Sequence, residues 1–496
     1  MSTLPVAVHT ADQVRALDRH ATDDLQIPSY TLMTRAGEAA LGALRSCWPS
    51  VRRVAVVCGP GNNGGDGYVL ARLARAQRLE VVAIGLHEPG RLQGDARRAH
   101  DDFLAAGGTV GGWDANGLRG ADVVVDAIFG VGLSRPVVGA AAEAIGAIND
   151  CGVPVLALDI PSGLHADTGE ILGAAVRAQR TLAFIGLKLG FYLGEGPNCV
   201  GVVMFDDFEL PPQALTHVAP AATLIDEAAI AELLPPRRRT AHKGQQGSVL
   251  VIGGNIGMAG AARMAGEAAL RAGAGLVTVA TRNENVAAIV GARPELMCRG
   301  VANGEELAAL IAHSDVIALG PGLGRDEWAR MMFATALGSG RRAVVDADAL
   351  NLLAQSPRAN AQWILTPHPG EASRLLGKTA AEVQRDRLGA AREIAVRYGG
   401  TVVLKGAGTL VISNAGPPAI CDRGNPGMAS AGMGDVLTGV IAGLVAQSAD
   451  LAAAARVGVL VHALAGDMAA RRGERGLLAT DLLAYLPTCV NPSQRS

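Results

Sequence analysis

Short runs of Val, Ile, Leu and Ala, mostly without polar–apolar alternation, recur along the chain, separated by Ala-rich stretches with helical spacing. Runs of this kind are buried on both faces, as in a mostly parallel sheet covered by helices. On the N-terminal side they are RVAVVC (53–58), EVVAIGL (80–86), ADVVVDAIF (121–129), VPVLALDI (153–160), RTLAFIG (180–186) and GVVMFD (201–206), with helical patterns at 12–24, 34–47, 67–78, 93–106 and 138–150. Near residues 209–224 the pattern breaks in ELPPQALTHVAPAAT, which is rich in Pro and Ala and has no period. It resumes at GSVLVIGG (247–254), GLVTVAT (275–281), DVIALG (315–320), RAVVDAD (342–348), WILTP (363–367), TVVLKG (401–406) and TLVIS (409–413), and 431–486 reads as largely helical. Strand–helix alternation occurring twice predicts two α/β domains, 1–219 and 220–496. A chain of 496 residues would allow two to four domains by length alone.

Composition narrows the function classes. Hydrophobic residues at 49% and charged residues at 18% exclude a disordered chain. Aromatics at 3% leave no stacking platform for single-stranded nucleic acid. A net charge of −2 gives no electrostatic reason to expect nucleic acid or an anionic membrane as a partner. Seven scattered cysteines with no C-x-x-C pair suggest reduced thiols and no zinc site. The N-terminus has no charged-then-apolar signal pattern, and the longest apolar stretch, near 436–447, is short for a membrane span. A cytoplasmic protein is expected. There are 64 glycines, and many of them fall at the ends of predicted strands.

RVAVVC runs directly into GPGNNGGDG (59–67), with five glycines, two asparagines and an aspartate in nine residues. A glycine turn between strand and helix lets backbone N–H groups approach a phosphate. The absence of a following Lys-Ser/Thr excludes an NTPase P-loop. Two more strand ends carry polar groups: Asp126 before AIFGVGLSRP (127–136), and Asp159 before IPSG with Ser162. In an open parallel sheet such loops converge on one crevice. Asn63, Asp126 and Ser162 offer hard oxygen donors for an alkali or alkaline-earth cation. They serve equally as turn-capping residues.

The segments LDRHATDDLQIPSYTLMTRAGEAA, GPGNNGGDG, DAIFGVGLSRP and DIPSG resemble the NAD(P)H-hydrate epimerase family (the YjeF N-terminal domain) across nearly all of residues 10–210. The resemblance implies a Rossmann-like three-layer α/β/α domain. It implies a substrate diphosphate site on Asn62, Asn63, Gly64, Gly65 and Asp66 and on the loop Gly130, Val131, Gly132, Leu133, Ser134, Arg135 and Pro136. It further implies potassium at Asn63, Asp126 and Ser162, and a catalytic Asp159 at the nicotinamide hydrate. Thr34 departs from the family pattern, which has an acidic residue there. Epimerisation at C6 requires proton transfer, for which Asp159 is a candidate acid or base. Lys188 in IGLKLG is a second candidate, or a charge on the phosphate side.

In the second half, NPGMASAGMGDVLTGVIAGLVA (425–446) opens a helix with a glycine turn and sets Asp435 in its first turn. The N–H groups of such a turn form an anion hole, and an adjacent aspartate can take a proton from an attacking hydroxyl. TPHPGEASRLL (366–376) adds His368 and Glu371, KGAGT (405–409) a strand-end lysine, and GPGLG (320–324) another glycine loop. With AHKG (241–244), TPHPGE, KGAGT and AGMGD all present, residues 225–490 resemble the ribokinase-like superfamily and, within it, the NAD(P)H-hydrate dehydratase family.

That resemblance implies nucleotide binding at Lys405, Gly406, Ala407, Gly408, Thr409 and Gly434, with the hydrate near Ala259, Gly322, His368 and Asp435. Family members phosphorylate the C6 hydroxyl of the S epimer and then eliminate phosphate, with Asp435 in the position of the base and Mg²⁺ offsetting phosphate charge. Bacterial two-domain members use ADP and eukaryotic ones ATP, a choice the residues leave open. The two halves together imply a bifunctional isomerase and lyase that repairs NADH hydrate and NADPH hydrate, acting as a homo-oligomer. The alternatives are a small-molecule kinase of the hydroxymethylpyrimidine or sugar type, and a binding scaffold. The intact phosphate loop and cation ligands argue against the scaffold.

Overall fold

In the computed structural model, which describes residues 4–414 and 416–491, the chain divides after Thr223, within the Pro- and Ala-rich segment 209–224, into two units. The N-terminal unit is organised by Arg53–Cys58, an inner strand of a seven-stranded, wholly parallel sheet. On one side lie Glu80–Gly85 and Val110–Gly111; on the other lie Val123–Ala127, Val155–Leu158, Arg180–Phe184 and Val202–Asp206. Alternate residues of Arg53–Cys58 enter different cores. Val54, Val56 and Cys58 pack with the helices Ser29–Cys47, Asn62–Ala76 and Gly94–Ala105, whereas Ala55 and Val57 pack with Ala140–Asp150. This is the three-layer arrangement expected, and the burial of the inner strands Arg53–Cys58, Val123–Ala127, Val155–Leu158 and Arg180–Phe184 explains their mostly apolar sequences.

The C-terminal unit carries a mixed sheet in the spatial order Met297–Gly300, Leu276–Thr281, Ser248–Ile252, Val316–Leu319, Arg342–Val345, Trp363–Leu365, Thr401–Leu404, Thr409–Ile412 and Ala419–Cys421. Pairing is parallel as far as Thr401–Leu404 and antiparallel in the last two strands. Val249 and Val251 face a core shared with the helices Ala259–Arg271, Met433–Gln447 and Leu451–Ala469.

Gly439 and Gly443 lie four residues apart on Met433–Gln447, where that helix crosses Ala259–Arg271. A Cβ at Gly439 would collide with the Ala265 carbonyl, and one at Gly443 would lie 2.7 Å from the Ala269 carbonyl. Gly439→Ala is expected to lower the stability of this unit by about 1–3 kcal/mol, read as a lower urea midpoint at unchanged slope. An unchanged midpoint would show that the helices can separate without cost.

Several expectations need correcting. Asn62–Asp66 are the opening turns of a helix and not a loop, because the chain turns into the helix directly after Gly61. Arg342–Val345 ends as a strand before Asp346, and a helix starts at Ala347, where a strand had been expected to run on. The predicted helix 12–24 is α-helical over Ala11–Arg19 and then widens into a π-helical turn at His20–Asp24. The stretch 436–447 is not the longest apolar segment. The helical run Leu451–Arg472 is long and apolar enough to cross a membrane, with mean hydropathy 1.4, and 67% of its apolar window is buried inside the protein.

Candidate active sites in the two units

The N-terminal sheet reverses its order between Arg53–Cys58 and Val123–Ala127, and the loops leaving these strands open a crevice there. A cavity of about 1130 Å³ occupies it, lined by Asn62, Asn63, Asp66, the whole loop Gly130–Pro136, and Asp159. That is ample volume for a dinucleotide. Gly64 and Gly65 do not line it. They face the protein, where a Cβ at Gly64 would meet the Gly59 carbonyl and one at Gly65 would meet the Met33 side chain. Thr34 is also outside the lining; its hydroxyl donates 2.8 Å to the Tyr30 carbonyl of its own helix. The cap residue of Asn62–Ala76 is Gly61, which offers no side-chain acceptor. The first N–H groups of this helix therefore lack an intrahelical partner at the cavity wall, and an anion there would satisfy them.

Asp159 is held with φ +65°, a conformation that non-glycine residues adopt only under constraint. One carboxylate oxygen pairs with the Lys188 ammonium; the other accepts the Val131 N–H at 3.2 Å, which ties the strand end to the glycine loop. Lys188 is fully buried and donates also to the Phe184 carbonyl at 3.1 Å. Burial lowers its pKa against the opposing pull of Asp159. Three further carboxylates line the same cavity, Asp95 and the pair Asp18 and Asp66. Desolvation and then the charge of Asp159 push that pair upward. Lys188 is thus the counter-charge within a group of three acids. Asp18 comes from the helix Ala11–Arg19, far from the glycine motifs that carried the sequence argument.

Asp126 and Ser162 form one buried unit. Ser162 Oγ donates to Asp126 Oδ1 at 2.6 Å and accepts the Phe129 N–H at 2.8 Å, while the Ser162 N–H donates to Asp126 Oδ2 at 2.8 Å. Burial pushes Asp126 up to about 6. Asn63 lies beside Gly130, the residue after Phe129, and both polar atoms of its buried amide lack a hydrogen-bond partner. An orphaned buried amide oxygen and a desolvated carboxylate are donors that a hard cation would satisfy.

In the C-terminal unit, Lys405 joins the sequence motifs. Its ammonium lies 2.6 Å from Asp346 Oδ1 and 3.7 Å from Glu371 Oε2, and Thr438 Oγ1 donates 2.7 Å to Asp346 Oδ2. Burial disfavours the Lys405 charge, but Asp346 and Glu371 prevail and raise its pKa. Asp435 stands in the first turn of Met433–Gln447, a helix capped only by Gly432 at φ +89°. Burial, then the charge of Asp346, push Asp435 up to about 7 despite Lys405. A carboxyl so poised can accept a proton near neutrality.

His368 caps the helix Pro369–Leu376: its Nδ1 accepts from the Gly370 N–H at 2.9 Å and from the Glu371 N–H at 3.4 Å, and Glu371 returns the bond to the His368 N–H at 2.8 Å. Burial and Lys405 lower its pKa, so the ring is neutral with its proton on Nε2. It combines the structural role common for such a histidine with one remaining donor for a ligand. Ala259 opens its helix, and Gly322, at φ +58°, lies against the Met258 carbonyl one residue before it. The loop Gly406–Thr409 is closed by Thr409 Oγ1 donating 2.8 Å to the Gly406 carbonyl, and by the buried Arg387 guanidinium, which donates to the carbonyls of Leu404, Lys405 and Ala407. Sequence reasoning missed Asp346, Thr438 and Arg387. The D-x-D after a strand was a signal for the first; nothing local marked the other two.

Both units match known proteins. Residues 29–190 match a family model described as YjeF-related protein N-terminus, and residues 249–488 match one described as NAD(P)H-hydrate dehydratase. The bifunctional NAD(P)H-hydrate repair enzyme Nnr of Coxiella burnetii is 48% identical over 97% of this chain and 98% of its own length; that of Escherichia coli is 44% identical over 99% and 95%. The crystal structure of the ADP/ATP-dependent NAD(P)H-hydrate dehydratase of Bacillus subtilis, co-crystallised with ATP and Mg²⁺, superposes with a TM-score of 0.50 at 30% identity, covering 54% of this chain and 96% of that one. Relatives that match from end to end set aside the kinase and scaffold alternatives. The chain belongs to the family of bifunctional NAD(P)H-hydrate repair enzymes.

Proposed function

We propose that the N-terminal unit interconverts the R and S forms of NADH hydrate and NADPH hydrate, and that the C-terminal unit dehydrates the S form at the expense of ADP. The observation that carries the second half is Asp435, poised near neutrality in the first turn of a helix with no side-chain cap. The hydrate lies by Ala259, Gly322, His368 and Asp435, and the nucleotide by Lys405–Thr409 and Gly434. Asp435 takes the proton of the C6 hydroxyl as that oxygen attacks the terminal phosphoryl group of ADP, releasing AMP. Phosphate then leaves C6 with the C6–O electron pair, a proton is lost from C5, and the C5–C6 double bond of the ring is restored. The first-turn N–H groups stabilise the transferring phosphoryl group, and Lys405, fixed by Asp346, faces its charge. Mg²⁺ would be held by the nucleotide phosphates, whose charge it would offset, with a carboxylate of Asp346 or Asp348 after the strand Arg342–Val345.

In the N-terminal unit the diphosphate rests on the start of Asn62–Ala76 and the loop Gly130–Pro136, and the hydrated ring meets Asp159. Asp159 and Lys188 move the proton that accompanies inversion at C6, where a bond from C6 to the hydroxyl oxygen or to the ring nitrogen breaks and re-forms on the opposite face. Potassium fits Asn63, Asp126 and Ser162, where it would fix the glycine loop. A mixture of R and S hydrates, incubated with ADP or ATP and with or without potassium, tests the whole reading through recovery of the reduced-nicotinamide absorbance. Full recovery with ADP and potassium is expected, and recovery of the S fraction alone when epimerisation is blocked. Asn63→Ala should raise the potassium needed for half-maximal epimerisation by about 10–100-fold; an unchanged requirement would remove potassium from this site.

A further inference from the structure

We propose that the N-terminal unit carries a second, previously unassigned metal site for a divalent transition ion of the zinc class, formed by His20, Asp24 and His217. It is separate from the catalytic cavity, and none of its three residues lines that cavity. The three ligand atoms lie within 4.8 Å of one another, and this is the one such group of His, Cys, Asp and Glu among the described residues.

Three observations place it beyond a chance surface pair. First, His20 and Asp24 sit on the π-helical turn His20–Asp24, which widens the end of Ala11–Arg19. Such bulges concentrate at functional sites, and here the turn brings His20 Nδ1 to 2.6 Å from Asp24 Oδ2. Second, His217 arrives from almost two hundred residues away and stacks on His20, with ring centroids 3.7 Å apart and planes within 4°. The neighbouring backbone fixes this arrival, because Gln13 Nε2 donates 2.8 Å to the Ala219 carbonyl. Third, a hollow of about 460 Å³ opens over the group, bounded also by Ala16, Asp23 and Val218.

The donor set selects the ion. Two imidazoles and one carboxylate suit Zn²⁺, Co²⁺, Ni²⁺ or Cu²⁺, and not the hard cations of the catalytic sites. Tetrahedral coordination with bonds of about 2.0–2.1 Å sets donors roughly 3.3 Å apart. Reaching it requires the closest pair to open, the widest to contract, and one imidazole to turn out of the parallel stack, because a metal bond lies in the plane of each ring. The fourth position faces the hollow and would take water. The bound ion would staple the first helix to the segment after Pro212–Leu215.

The test uses the full-length protein stripped with a chelator and titrated with Zn²⁺, and with Co²⁺ for its visible absorption. Expected results are one equivalent bound, imidazole-ligated Co²⁺ bands, a higher melting temperature with Zn²⁺, and affinity lowered at least about tenfold in His217→Ala and in Asp24→Asn. Repair activity is read in parallel to show that the variants are folded. Unchanged affinity in both variants would overturn the proposal by placing the metal elsewhere, on cysteines for example. Absence of binding to the parent protein would overturn it equally.

Discussion

Asp435→Asn is expected to lower the dehydration rate by about 10²–10⁴-fold, the range that general acid–base groups supply, while epimerisation proceeds at the parent rate. Asparagine keeps the shape of the side chain and its place in the first turn, and removes the ability to take a proton. The same group sets the pH dependence. Its pKa is raised to about 7 by burial and the charge of Asp346, so it is the basic form that is lost as pH falls. In the free enzyme kcat/KM for dehydration should fall through an acid limb near pH 7, and Asp435→Asn should abolish that limb. A variant that dehydrates S hydrate within a few fold of the parent, with the limb intact, would assign the proton to another group. Glu371 is then the next candidate, since burial raises its pKa too.

Lys188→Met should have the largest effect in the other unit, and on two quantities. Methionine keeps the apolar stem but leaves Asp159 without its counter-charge in a cavity that also holds Asp18 and Asp66. Removing one member of a buried ion pair costs about 3–5 kcal/mol, read as loss of stability of this unit in denaturant. Epimerisation should cease, and a mixed-hydrate assay should stop at the S fraction. The double variant Lys188→Met/Asp159→Asn separates the two effects, because with both charges gone stability should largely return while epimerisation remains absent. A stable and fully active Lys188→Met protein would dismiss the ion pair from both roles.

The architecture was legible because fully buried parallel strands have an unmistakable apolar signature, and because catalytic loops in such sheets follow strand ends. RVAVVC, VPVLALDI and TVVLKG all led to the right edge of a sheet. The short edge strands Val110–Gly111 and Met297–Gly300 were not legible, since exposed and partly polar edge positions carry no apolar run. The site was legible where one loop holds several of its residues, as in Gly130–Pro136 and Lys405–Thr409. It was hidden where a single residue arrives from a distant element. Arg387 reads as one of many arginines on a helix, and only the folded chain shows its guanidinium gathering three loop carbonyls. Gly64 and Gly65 illustrate the converse. Their motif pointed to the right loop, but their lack of a side chain serves the closeness of the backbone behind it and not the cavity in front.

Both candidate sites are built on a helix that begins at a glycine, Gly61 in one unit and Gly432 in the other, with no side chain to terminate it. At Gly61, where a Cβ would meet open space, a serine or aspartate would stabilise the empty protein by about a few tenths of a kcal/mol; at Gly432, held at φ +89°, any side chain would be strained. By omitting it, the chain leaves the finishing of these two helices to whatever anion arrives. Part of the free energy that a resident residue would have contributed to folding is thereby reserved for the substrate. Affinity and foldedness draw on the same few N–H groups.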